Sequence, residues 1–354
     1  MRTNSPDADD AAPPSRMAVV FAVRGGFSNV QKTLDCLLAQ TAANRIDLML
    51  TTDSPALLQE IERYVLSRGT LVNPRFLLHA APDLASSRVF AATEATAEIM
   101  TITEDHSFPE SNFVEELLGV FDSSAEILAA APVMHNPNPG SAVSRAQFLL
   151  THVMLRPVAH PPRTENCERL PWHNTTYRRA AFVAAAREVG LMQAEGLLQA
   201  EIRRNNPGAR FVHCHHTGLW HVNMSRLAPA VEHAFHGGRI FGAARVKYCQ
   251  WGWESRLPRM VLFPLMALLK MVRCAPILID RRAPLQTLAT LAISCLLTFC
   301  YAAGEAMGIA CGKGNSATIY ARYECNRVGL LDPAERHLLF SDSASPTLID
   351  NTHP

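Results

Sequence analysis

Twice near its start the chain repeats one pattern: a short apolar run, a polar turn, then apolar residues at helical spacing. Runs of this kind can be buried only as strands of a sheet covered by helices on both faces. The first is Met17-Ala-Val-Val-Phe-Ala-Val23, followed by Arg24-Gly25-Gly26 and by Val30, Leu34, Leu37 and Leu38 within Ser28 to Thr41. Ser28 or Asn29 is placed to cap that helix. The second is Ile46 to Leu50, ending in Thr51-Thr52-Asp53-Ser54-Pro55 before a helix over Leu57 to Ser67. A third run, Ala97 to Thr103, ends in Glu104-Asp105-His106. Strands alternating with helices predict an α/β fold with a mostly parallel sheet flanked by helices. Ligands of such sheets bind beyond the carboxyl ends of the strands, which is where Arg24, Asp53 and Glu104-Asp105-His106 fall. A dinucleotide fold is disfavoured, because Arg24-Gly25-Gly26-Phe27 lacks the third glycine of the phosphate-binding fingerprint.

The chain has 354 residues, enough for about two domains. Its 33 Lys+Arg against 32 Asp+Glu remove the basic footprint of a nucleic-acid binder, so no nucleic-acid partner is expected. Nine cysteines, an odd number with no C-x-x-C pair, fit a reducing compartment better than a disulfide framework. Residues 1–16, with Asp7, Asp9, Asp10 and Pro13-Pro14 and no apolar run, read as a disordered tail and not as a signal peptide. Residues 133–169, rich in Pro, His, Asn and Arg, read as an extended excursion, with structure resuming at Leu170 and a strand at Phe211-Val212.

The C-terminal third is different. Ala283 to Gly304 is 22 residues without a charge, and at ~1.5 Å per residue that length crosses a ~30 Å hydrocarbon core. Met260 to Leu269 is a shorter charge-free run, suited to an interfacial helix. Between them Lys270, Arg273, Arg281 and Arg282 face only Asp280, which would keep that linker cytoplasmic. The alternative is a hairpin buried in a soluble body. Four regions follow: a tail at 1–16, a globular domain at 17–255, membrane-associated helices at 256–312 and a C-terminal tail at 313–354.

Four stretches, taken in order, carry a family resemblance. They are the first strand with Asp53 after the second; Ser87-Arg88 leading through Ala97-Glu98 into Ile102-Thr-Glu-Asp-His106; Asn174-Thr-Thr-Tyr-Arg-Arg179; and His221 followed by Gly238-Arg239 and Arg245. Over roughly Met17 to Val246 the chain resembles family-2 glycosyltransferases of the GT-A fold, and its apolar C-terminus resembles their membrane-associated members. The resemblance implies transfer of a sugar from a nucleotide diphosphate sugar to a lipid-linked or saccharide acceptor, with inversion, by a catalytic domain on the cytoplasmic face of the membrane.

It also implies roles. Asp53 would accept from the base or ribose, or is a turn Asp before Ser54-Pro55. Arg88 would pair with the diphosphate, and Arg239 and Arg245 would lie near a loop closing over it. Asn174 and Arg178 would line the sugar on the acceptor side, or simply enter a helix. Glu104-Asp105-His106 stands where the family has its metal-binding Asp-x-Asp, for Mn2+ or Mg2+, with His221 as a late ligand; the cluster can equally cap a helix. His106 in the third position suits Mn2+ better than Mg2+. Glu195 stands where the family has a catalytic Glu-Asp pair, but Ala194-Glu195-Gly196 lacks the second acid. The Gln-x-x-Arg-Trp of processive synthases is missing, which points to one sugar per encounter. Six histidines between His213 and His236 suggest zinc, but strand alternation splits them. Other readings are a nucleotidyltransferase on a related sheet, or a non-catalytic membrane protein keeping the fold.

Overall fold

The computed structural model describes residues 16–340, apart from 72–73, 82, 153–154, 158–159, 172, 190–194 and 279–282. The expected tail therefore lies outside the described residues except for Arg16, as do Asp280, Arg281 and Arg282 of the basic linker.

The first half follows the alternation: β1 (Met17–Ala22), α1 (Phe27–Leu38), β2 (Ile46–Thr52), α2 (Pro55–Arg68), β3 (Arg75–Leu78), α3 (Leu84–Glu94) and β4 (Ile99–Ile102). Every residue of β1, β2 and β4 is buried, as strands covered on both faces must be. Local signals set the helix ends. Ser54 accepts from the Leu57 amide ahead of Pro55, Gly69 closes α2 with φ +64°, and Asp83 accepts from the Ser86 amide to start α3.

The second half comprises β5 (Ser107–Pro109), α4 (Phe113–Ser123), β6 (Ile127–His135), α5 (Ala142–His152), β7 (Thr164–Asn166), β8 (Thr175–Arg178), α6 (Arg179–Val189), α7 (Glu195–Asn205) and β9 (Arg210–His221). The sheet order is β3-β2-β1-β4-β8-β6-β9-β5, with β7 also on β9. β3, β2, β1 and β4 are parallel neighbours, as are β6 and β9, but β8 runs antiparallel to both β4 and β6, and β5 and β7 run antiparallel to β9. The expectation of a mostly parallel sheet is corrected to a mixed one. Apolar runs followed by helices announce only strands joined by crossovers, whereas β8 is short, rich in threonine and reached from a loop. Residues 133–169 are also more regular than expected, since they hold the end of β6 and all of α5 and β7.

Six helices follow: α8 (Leu227–Tyr248), α9 (Trp253–Val261), α10 (Phe263–Leu278), α11 (Pro284–Cys311), α12 (Ser316–Glu324) and α13 (Pro333–Phe340). Residues 313–340 are not a tail. Ala321 and Cys325 pack with Ala22 and Leu84 at the end of β1, and Leu331 and Leu339 pack with Phe108 and Val222. Among the described residues α11 is the one helix long and apolar enough to cross a membrane, with a mean hydropathy of 1.7 in its most apolar window, a third of which is buried. It lies along α8, with an Arg245–Glu305 ion pair of 2.5 Å between them. The outer faces of α9, α10 and α11 leave Trp253, Val261, Met266, Val272, Leu285 and Leu288 largely exposed.

Candidate active site

The site is built at the carboxyl end of β4. The Thr103 amide still pairs with the Val20 carbonyl of β1, after which the chain turns, the Ser107 amide returning to the Glu104 carbonyl at 3.2 Å. The turn carries Glu104, Asp105 and His106 inward, and all three are buried.

Glu104 is the hub. Its Oε1 accepts from Arg88 Nη2 of α3 at 3.2 Å, and its Oε2 accepts from Asn174 Nδ2 at 3.3 Å and lies 3.1 Å from His221 Nε2. His106 Nε2 is 3.8 Å from the same oxygen. Asn174 holds the left-handed conformation, with φ +57°, which lets its Oδ1 accept from Thr103 Oγ1 at 2.9 Å while its amide nitrogen reaches Glu104. Burial opposes ionisation of Glu104, but the facing imidazoles of His173, His106 and His221 together hold its pKa well below the usual carboxylate range. Burial also lowers His221 to about 4, so its ring is neutral and carries a free lone pair.

Glu104, His106 and His221 can each bring one ligand atom within 4.8 Å of the other two. His106 Nε2 is buried without a hydrogen-bond partner. A carboxylate and two imidazoles converging on an orphaned nitrogen fit a borderline divalent cation such as Mn2+. Asp105 stands outside this triad. Its Oδ1 is 2.8 Å from His106 Nδ1, an arrangement in which a carboxylate fixes the tautomer and leaves Nε2 to face the ion.

The other predicted residues divide between this edge and elsewhere. Asp53 follows β2 at the same edge, about half exposed, 3.8 Å from Arg24 Nε. Arg178 is paired with Ile99 at the start of β4, the end of the sheet remote from Glu104. Its guanidinium is consumed there by the carbonyls of Phe121, Ser124 and Ile127 and by Glu98. Arg239 donates to the Gly312 carbonyl, and Arg245 pairs with Glu305 beneath the Trp251 ring, so both hold α8 to the end of α11. Each of these three arginines is thus engaged in a contact within the fold, away from the Glu104 turn. Glu195 opens α7, and its side chain lies outside the described residues.

Sequence reasoning passed over several groups that the fold delivers here. His152 and His173 lie against His221, with ring centroids 4.9 and 5.9 Å from it. From α12, Glu324 Oε2 comes within 4.0 Å of His106 Nε2, and the Glu324 carboxylate is held by Arg327 at 2.6 Å and by His233. His173 adjoins Asn174 in sequence and could have been flagged by that neighbour. Glu324 and Arg327 follow the whole apolar region and carried no such signal.

No protein-family model matches the sequence, and no curated protein does. Among solved structures, the chain is similar to GalNAc-T7, crystallised with UDP, GalNAc and Mn2+, at a TM-score of 0.45 and 13% identity over 61% of this chain and 44% of that one. It is also similar to S. aureus TarS, at a TM-score of 0.42 and 12% identity over 79% of this chain and 55% of that one. The S. aureus TarS 1-349 complex with UDP gives a TM-score of 0.42 and 11% identity over 80% and 90%. This chain thus spans about half the length of the first two. With each of these scores below 0.5, the chemistry of the site rests on its own residues.

Proposed function

We propose that the chain is a metal-dependent, inverting, non-processive glycosyltransferase that takes its sugar from a nucleotide diphosphate donor. The observation that carries this reading is the buried Glu104–His106–His221 triad at the carboxyl edge of β4, beside Arg88. Glu104, His106 and His221 would hold a divalent cation, which would neutralise the charge on a departing diphosphate. Arg88, donating to Glu104 Oε1 at 3.2 Å, keeps that carboxylate aligned. Asp53, at the mouth of the edge and partly open to water, accepts from the nucleoside. Burial of the triad excludes water, which strengthens electrostatic contacts and limits donor hydrolysis.

Glu195 is proposed as the base that takes the proton from the acceptor hydroxyl, and a single displacement then inverts the anomeric carbon. Glu195→Gln keeps the shape and removes the basicity, so transfer should fall by a factor on the order of 10²–10⁴ with donor affinity nearly unchanged. A parallel loss of donor binding would place Glu195 on the nucleotide instead. The function itself is tested by screening the purified protein against UDP-, GDP- and dTDP-sugars with Mn2+ and Mg2+. Release of nucleoside diphosphate from at least one donor is expected; release from none with either ion counts against the reading.

The exposed apolar faces of α9, α10 and α11 support association with lipid, and the excess of Lys and Arg between the two apolar runs favours the cytoplasmic side for the catalytic half. Full-length protein should stay in the membrane fraction through a carbonate wash. Release by carbonate would mean that these faces cover protein and not lipid.

A further inference from the structure

Behind the triad, a second set of nitrogens converges. His152 ends α5, His173 lies in the loop before β8 and His221 ends β9, and all three are buried, His152 completely. Their ring centroids are 5.7 Å apart for His152–His173, 4.9 Å for His152–His221 and 5.9 Å for His173–His221. Each ring can bring one nitrogen within 4.8 Å of the other two.

Three segments distant in sequence thus bury three imidazoles against one another, His152 edge-on to the other two and His173 stacked on His221. Neither nitrogen of His152 has a hydrogen-bond partner, and neither does His221 Nδ1. A buried polar atom left unpaired costs about 1–3 kcal/mol, and native folds keep few of them without a ligand, water or functional reason.

We propose that His152, His173 and His221 form a second, all-nitrogen metal position that takes an ion of the Zn2+ class, adjoining the Glu104–His106–His221 triad and sharing His221 with it. The two sets differ in ligand chemistry. One offers a carboxylate and suits Mn2+; the other is purely imidazole, as zinc prefers, and leaves a fourth tetrahedral position to water or a substrate oxygen. With both ions bound, His221 would bridge them as an imidazolate that has released its ring N–H proton to solvent, Nε2 lying 3.1 Å from Glu104 and Nδ1 being unpaired. The charge of the surroundings agrees: the buried carboxylates of Glu104, Asp105 and Glu324 outnumber the buried guanidiniums of Arg88 and Arg327. The second position does not depend on sugar transfer, and its test reads metal alone.

Full-length protein is stripped with chelator, dialysed against Zn2+ or Co2+ with Mn2+ present, and assayed for bound metal per chain. Wild type should hold a Zn2+ equivalent in addition to Mn2+, and the Co2+ form should show the visible absorption of a tetrahedral site. His152→Gln should lose the Zn2+ equivalent, the tetrahedral spectrum and the rise in melting temperature given by Zn2+, while keeping Mn2+. Glu104→Gln should do the reverse. Should His152→Gln fail to fold, His173→Gln, in a loop, gives the same reading. A single metal equivalent in wild type, or undiminished Zn2+ uptake in the folded variants, overturns the proposal.

Discussion

His106→Ala is expected to abolish turnover, a fall of at least ~10³-fold, and to remove Mn2+ binding at the Glu104 triad with it. His106 sits between the carboxylates of Glu104 and Glu324, and its unpartnered Nε2 faces both. No other group of the turn replaces that nitrogen, because Asp105 is engaged on the opposite side of the ring. Asp105→Asn should therefore be milder, weakening metal affinity about 10–100-fold while retaining binding, as loss of a ligand's orienting partner does. Metal titrations of the two variants separate the roles. Equal loss in both would return Asp105 to the ligand set, and wild-type turnover in His106→Ala would remove the metal from the account.

Gly304→Ala is the second change expected to act strongly, this time on the fold. A Cβ at 304 would sit 1.9 Å from the Phe235 carbonyl oxygen, and one at Gly238 would sit 2.0 Å from the Tyr301 carbonyl oxygen. Both obstacles are backbone, so α8 and α11 would have to move apart, breaking the Arg245–Glu305 pair that lies in the same contact. A loss of about 3 kcal/mol, the upper end of ordinary over-packing, is expected in denaturant unfolding. Gly208→Ala, with nothing within 4 Å of the added methyl, should stay within about 0.5 kcal/mol of wild type. Wild-type stability in Gly304→Ala would mean that the two helices do not touch as described.

The parallel half of the sheet and the turn that ends β4 were legible because both are written locally. An unbroken apolar run fixes a doubly covered strand, and acids and histidine at its end fall on the ligand edge. The arginines were not legible in the same way. Arg178, Arg239 and Arg245 stand at positions that resemble a donor-binding family, yet what a guanidinium contacts depends on which carbonyls tertiary folding brings to it. Carbonyls at the ends of α4 and β6 take Arg178, while the last turns of α11 take the other two. β8 was not foreseen as a strand, because it is only four residues long and no crossover helix leads into it. His152, Glu324 and Arg327 reach the site from elements far apart in sequence, and no local pattern marks a side chain whose partners are so remote.

The central claim, a nucleotide donor bound at a metal held by Glu104, His106 and His221, is tested most directly by calorimetric titration. UDP, GDP and dTDP are titrated into chelator-treated protein with and without Mn2+. At least one nucleotide should bind, at least about tenfold tighter with Mn2+, with that coupling lost in His106→Ala. Binding of no nucleotide under either condition, or an affinity indifferent to both Mn2+ and His106, would contradict the account.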